Sequence, residues 1–88
     1  MSNSHHKVLK SCSSKLIYET RIKNNCSQHK FSEMIALSPR AYEDLELGKS
    51  LPKFQTLVNI AIAGNLDLNS LVDQIKSNGY KIEDSRNE

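Results

Sequence analysis

The chain has 88 residues, of which 38% are apolar and 25% charged, with a formal net charge of +2. That supports one small helical core and not a second, so an enzyme with its own cleft is not expected. There is no run of about 18 apolar residues to span a membrane, and the polar start Met1-Ser2-Asn3-Ser4-His5-His6 lacks the apolar centre of a secretory signal; the expected location is the cytoplasm.

The first helix is expected over about residues 14–25, with Leu16, Ile17 and Thr20 inside and Lys15, Glu19 and Lys23 outside. Residues 1–13 read as a flexible polar and basic arm carrying Lys7 and Lys10. A backward extension of the helix through Val8, Leu9 and Cys12 is the alternative. Cys12 and Cys26 are too few for a disulfide framework, and their spacing matches no zinc pattern even with His5, His6 and His29 included. Cys26 reads as a small buried hydrophobe, His5 and His6 as exposed, and no metal or other cofactor is expected.

Helix two is expected at about residues 28–35, capped by Ser27 and burying Phe31 and Ile35 at i,i+4 spacing. The turn Ala36-Leu37 leads to Ser38, a second N-cap, and Pro39 suits the first helical position because its missing N–H has no partner to lose there. Gly48 closes helix three, about residues 39–47, as a left-handed cap. Helix four, about residues 54–63, carries the apolar stripe Phe54, Leu57, Val58 and Ala61, and Gly64-Asn65 stops it. Asp67 caps helix five, whose stripe Leu68, Leu71, Val72 and Ile75 runs to a stop near Asn78-Gly79. The organisation expected is an arm over 1–13, a domain over 14–78 and a polar, fraying tail over 79–88.

The fold class is therefore all-α, five helices, with helices two and three joined by a tight turn. Phe31, Ile35, Leu37, Tyr42 and Leu45 fall where a helix-turn-helix unit must bury side chains, and such a unit places its second helix in a DNA major groove. Charge is distributed in keeping with this. Residues 1–53 hold nine basic side chains against five acidic, whereas residues 54–88 hold three against five.

The ordered series Ser27-Gln28, Glu33, Ser38, Leu45, Glu46, Gly48, Lys49, Pro52, Leu57, Ile60 and Ala61 resembles the lambda-repressor-like domain of the Cro and phage-repressor family over about residues 14–73. Four positions depart from it. Ala36 replaces a common turn glycine, Thr20 a usual leucine, and Gly64-Asn65 a common Leu-Gly. The resemblance implies a buried ion pair between Arg21 and Glu46, and a phosphate or base contact by Gln28.

The candidate DNA-facing set is Ser27, Gln28, Lys30, Ser38, Pro39, Arg40, Ala41, Glu43, Asp44, Lys49 and Lys53. The start of helix two offers free N–H groups to a phosphate, and Lys30 there is either a phosphate partner or an ordinary exposed lysine. With Tyr42 and Leu45 inward, steps of 100° turn Arg40, Glu43, Asp44 and Leu47 outward. Arg40 can donate to guanine O6 and N7, and Asp44 can accept from cytosine N4. The two residues can instead simply pair at i,i+4 spacing. Pro39 and Ala41 offer apolar contact to a thymine methyl, and Lys49 and Lys53 suit phosphates. Lys7, Lys10 and Lys15 read as a disordered segment or as a basic arm along the duplex.

The leading expectation is a sequence-specific regulator of transcription, repressor-like, binding a palindromic operator in double-stranded DNA as a homodimer. The apolar side of helix five is the expected dimer face. The alternative is an antitoxin or accessory subunit with a toxin or antirepressor as partner and a secondary or inactive helix-turn-helix, a reading that the acidic pair Glu43-Asp44 and the outward Leu47 favour. No Ser/His/Asp, Cys/His or glycine-rich phosphate arrangement points to catalysis.

Overall fold

In a computed structural model the backbone is described for residues 2–82 and the side chains from His6 onward. The chain folds into α1 (Ser2–Lys23), α2 (Gln28–Met34), α3 (Pro39–Glu46), α4 (Phe54–Gly64) and α5 (Leu68–Ser77). α1 packs against α3, α5 and α4, and α2 against α3. At 1.5 Å per residue α1 spans about 33 Å, most of the longest molecular dimension of 40 Å.

Three starts, those of α2, α3 and α5, are fixed by side-chain caps. Ser27 Oγ accepts from the Lys30 N–H at 3.0 Å, Ser38 Oγ from the Ala41 N–H at 3.2 Å, and Asp67 Oδ1 from the Asn69 N–H at 2.9 Å. Pro39 opens α3. The five ends also share one device, a residue in the left-handed region: Asn25, Ala36, Gly48, Asn65 and Gly79. At the end of α3 the Gly48 N–H bonds the Leu45 carbonyl at 3.2 Å and the Lys49 N–H the Asp44 carbonyl at 2.9 Å, the two bonds of a Schellman motif. α2 ends in the same way on Ala36, a residue with a Cβ.

The core has two adjoining parts. Ile17, Phe31, Ile35, Tyr42, Leu45 and Ile60 form the first, with Phe31 and Tyr42 in an edge-to-face contact at 5.8 Å between centroids. Cys12, Leu16 and Leu71 form the second, flanked by Val8, Leu57 and Ile75, and Leu66 packs against both. The buried apolar residues of α2 and α3, Phe31, Tyr42 and Leu45, belong to the first part together with Ile17 of α1 and Ile60 of α4, so the α2–α3 pair is held by α1 and α4 together.

Three expectations need correction. The first helix begins at Ser2, not near residue 14, and Lys7 and Lys10 lie on it and not on a flexible arm. Val8, Cys12 and Leu16, at i,i+4 spacing, carry its apolar side back along α5, where Leu71 and Ile75 receive them. Phe54 is 79% exposed and, with half-buried Val58, lies on the side of α4 away from its buried apolar residue, Ile60. Of the α5 stripe, Leu71 is buried, Leu68 and Ile75 are half-buried, and Val72 is exposed. The expectations for His5 and for residues 83–88 lie outside the described side chains and residues.

Two departures from the family pattern meet in space. A Cβ on Gly64 would overlap Thr20 Cγ2 and approach Phe31 to 3.1 Å, so a leucine at 64 cannot coexist with this α1–α4 approach. Asn24 Nδ2 closes the same junction by donating to the carbonyls of Thr20 at 2.7 Å and Gly64 at 3.1 Å.

Candidate nucleic-acid interface

The centre of the site is a carboxylate with several donors. Arg21 Nε donates to Glu46 Oε2 at 2.6 Å and Arg21 Nη2 to Oε1 at 3.2 Å, a two-point contact in which both side chains are nearly buried. Gln28 Nε2 donates to Oε1 at 2.8 Å, and the Tyr42 hydroxyl donates to Oε2. Arg21 also reaches the Cys26 carbonyl at 2.9 Å and stacks over Tyr18. Glu46 thus joins the end of α3 to α1 through Arg21 and to the start of α2 through Gln28.

The titration behaviour of the cluster follows from these contacts. Burial pushes the Glu46 carboxyl up, but the hydrogen bonds from Arg21, Tyr42 and Gln28 outweigh it and hold the group below its ordinary range. Burial, reinforced by the bond to Glu46, pushes the Tyr42 phenol above its ordinary value. The bond to Glu46 raises Arg21 further, so the guanidinium stays charged.

With Tyr42 and Leu45 turned inward, α3 presents Pro39, Arg40 and Glu43 to solvent, with Ala41 and Asp44 half-buried. The Arg40 side chain is 83% exposed, and its Nε lies 3.8 Å from Asp44 Oδ1, a loose contact that leaves the guanidinium free to turn. Ala41, Asp44 and Lys53 line one cleft of about 280 Å³ between α3, the α3–α4 loop and α4. Lys49 follows the Gly48 cap and is exposed. Gly48 is required by its backbone: its φ is +74°, which strains any side chain, while a Cβ there would make only ordinary contact with Ser14 Oγ on α1, at 3.6 Å.

Ser27, Gln28 and Lys30 are exposed at the start of α2, and Ser38 at the start of α3, with both serine hydroxyls already engaged as caps. One hydrogen of the Gln28 amide is committed to Glu46. Sequence reasoning missed the Tyr42 hydroxyl, treating the residue as core alone. The i,i+4 spacing of Tyr42 and Glu46 was the available signal. Among the described residues no group of three or more His, Cys, Asp or Glu side chains is placed to hold a metal ion, and no helix is long and apolar enough to cross a membrane.

An all-helical fold of five helices, with α1, α2 and α3 tied to one buried carboxylate, is consistent with a DNA-binding regulator in general. A helix-turn-helix family model matches residues 17–71, and the chain belongs to this family, the XRE or lambda-repressor-like kind. No curated protein and no solved structure matches the chain.

Proposed function

We propose that the chain is a sequence-specific transcriptional regulator of the repressor type, acting in the cytoplasm and binding a palindromic operator as a homodimer. In this reading α2 and α3 are the helix-turn-helix unit, and α3 enters the major groove. The observation that carries it is the outward face of α3: Arg40, highly exposed and loosely paired, stands on a helix whose other face is locked by Tyr42 and Leu45. A guanidinium so placed suits guanine O6 and N7. Lys49 beyond the Gly48 cap and Lys53 beside Ala41 and Asp44 flank that face and suit phosphates.

Glu43 and Asp44 on the same helix oppose phosphate, and in this reading they face bases, where a carboxylate accepts from cytosine N4. A second reading, an accessory subunit that binds a toxin or antirepressor through α3, draws on Leu47, 59% exposed beside that acidic pair. Selection from a random duplex pool with the full chain separates the two. The regulator should enrich an inverted repeat with half-sites one turn apart, about 10–10.5 base pairs. Recovery of no preferred sequence would overturn it in favour of the second reading.

A further inference from the structure

From Phe54 through Leu66 the sequence runs thirteen residues without a charged side chain, in a protein where a quarter of residues are charged. α4 occupies most of this run. Its inner side buries Ile60 completely. The side away from Ile60 carries Phe54 and Ile62, 79% and 77% exposed, with half-buried Val58 between them at i,i+4,i+8 spacing. A helix apolar on both sides is normally buried on both.

We infer that this outer face of α4 docks on the same face of a second copy of the chain, the two helices antiparallel about a two-fold axis near Val58. The argument is electrostatic. Near the axis of a two-fold contact each residue meets its own counterpart, so a charge there faces the same charge. α4 has none to bury. The competing apolar surface, the groove between Leu9, Val72, Ile75 and Ile82, has Lys76 in its wall and Asp73 next to Val72.

The patch is small. A Phe contributes about 150–250 Å², and three apolar side chains fall short of the roughly 800 Å² per partner of a standard interface. Association is therefore weak in the free chain and strengthens when a symmetric duplex holds two copies side by side. This inference names the interface of the homodimer proposed above and rests on that part of the reading.

The test is sedimentation equilibrium of the full chain from about 1 µM to about 1 mM, alone and with a symmetric duplex, alongside circular dichroism to show that each variant folds. Ile62→Glu should weaken self-association at least tenfold with the melting temperature unchanged, whereas Val72→Glu should leave association as it was. Adding Phe54→Lys to Ile62→Glu should restore it, because the antiparallel register sets the two new charges opposite each other. Association that survives Ile62→Glu but is lost with Val72→Glu overturns the inference and moves the interface to α5, and failure of the double variant to recover overturns the antiparallel register. A chain monomeric throughout, on the duplex as well, overturns the homodimer itself. Loss of association in Ile62→Glu with no preferred DNA sequence leaves the α4 interface standing and removes the regulator.

Discussion

Gln28, the first residue of α2, donates its side-chain amide to Glu46, the last residue of α3, at 2.8 Å. The bond spans the helix pair from its beginning to its end. Arg21 and Tyr42 hold the same carboxylate, so the angle between α2 and α3 is set by hydrogen bonds as well as by the Phe31–Tyr42 contact. If α3 is a reading helix, this carboxylate fixes how it is presented.

Glu46→Ala should therefore be severe. It leaves the nearly buried Arg21 guanidinium without its counter-charge, for which a loss of about 3–5 kcal/mol is expected. Tyr42→Phe keeps the ring in the core and removes one hydrogen bond to a charged acceptor, about 1.5–3 kcal/mol. Denaturant unfolding of the two variants checks both values. A loss below about 1 kcal/mol for Glu46→Ala would mean that the pair behaves as an exposed one.

The same cluster sets a pH dependence. Glu46 titrates lower in the folded chain than in the unfolded one, so its contribution is whole above about pH 4.3 and fades as pH falls through the folded value. Tyr42 titrates higher when folded, so its contribution is whole below about pH 10 and fades as pH rises beyond that. Thermal melts across pH should lose part of their acid slope in Glu46→Gln and part of their alkaline slope in Tyr42→Phe. Slopes identical to the parent chain would remove the cluster from the account.

The end of α2 holds an avoidable strain. Ala36 sits at φ +58°, a conformation that disfavours a side chain by roughly 1–2 kcal/mol. Glycine relieves it but adds freedom to the unfolded chain, about 0.4–1 kcal/mol in the other direction. Ala36→Gly should stabilise by about 0.5–1 kcal/mol, a rise of a few degrees in melting temperature. A fall instead would show that the Ala36 methyl makes a contact worth more than the strain.

Gly64 behaves in the opposite sense. Its φ is not left-handed, yet a Cβ there would overlap Thr20 and crowd Phe31, so Gly64→Ala should destabilise by about 1–3 kcal/mol through overpacking. Thr20→Ser removes the obstructing methyl while keeping the hydroxyl that bonds the Leu16 carbonyl at 2.7 Å. The double variant should recover part of the loss. Strict additivity of the two changes would show that the residues do not share this contact.

Much of this was readable beforehand because it is local. Ser27, Ser38 and Asp67 act on N–H groups two or three residues away, and Gly48 and Gly79 supply the left-handed caps that glycine favours. Phe31 and Ile35 show helical periodicity directly. What escaped depends on distant partners. Ser11, Ser13 and Ser14 interrupt the Val8–Cys12–Leu16 series, so that α1 looks polar until α5 is seen against it. Phe54 fits the α4 spacing, and only the position of the core around Ile60 excludes it. Gly64 looked like a stop signal, whereas its role is to let α4 approach Thr20. The four-residue cluster at Glu46 brings together residues 21, 28, 42 and 46. The resemblance pointed to the Arg21 contact, but the Tyr42 hydroxyl came from the fold alone.

The outward face of α3 supplies the last expectation, which separates holding DNA from reading it. Lys49 and Arg40 are both exposed and each carries one positive charge, but Lys49 lies past the helix cap while Arg40 stands in the first turn of α3. Lys49→Ala should weaken binding to every duplex alike and lower the salt slope by about 1, the signature of one lost phosphate contact. Arg40→Ala should lose about 1–3 kcal/mol on the selected site, little on random DNA, and relax preference at one position per half-site. Asp44→Asn adds a control: it removes the carboxylate 3.8 Å from Arg40 and should leave the Arg40 effect in place. If Arg40→Ala and Lys49→Ala lose affinity equally on selected and random duplexes, Arg40 is a second backbone contact and α3 reads its site by other side chains.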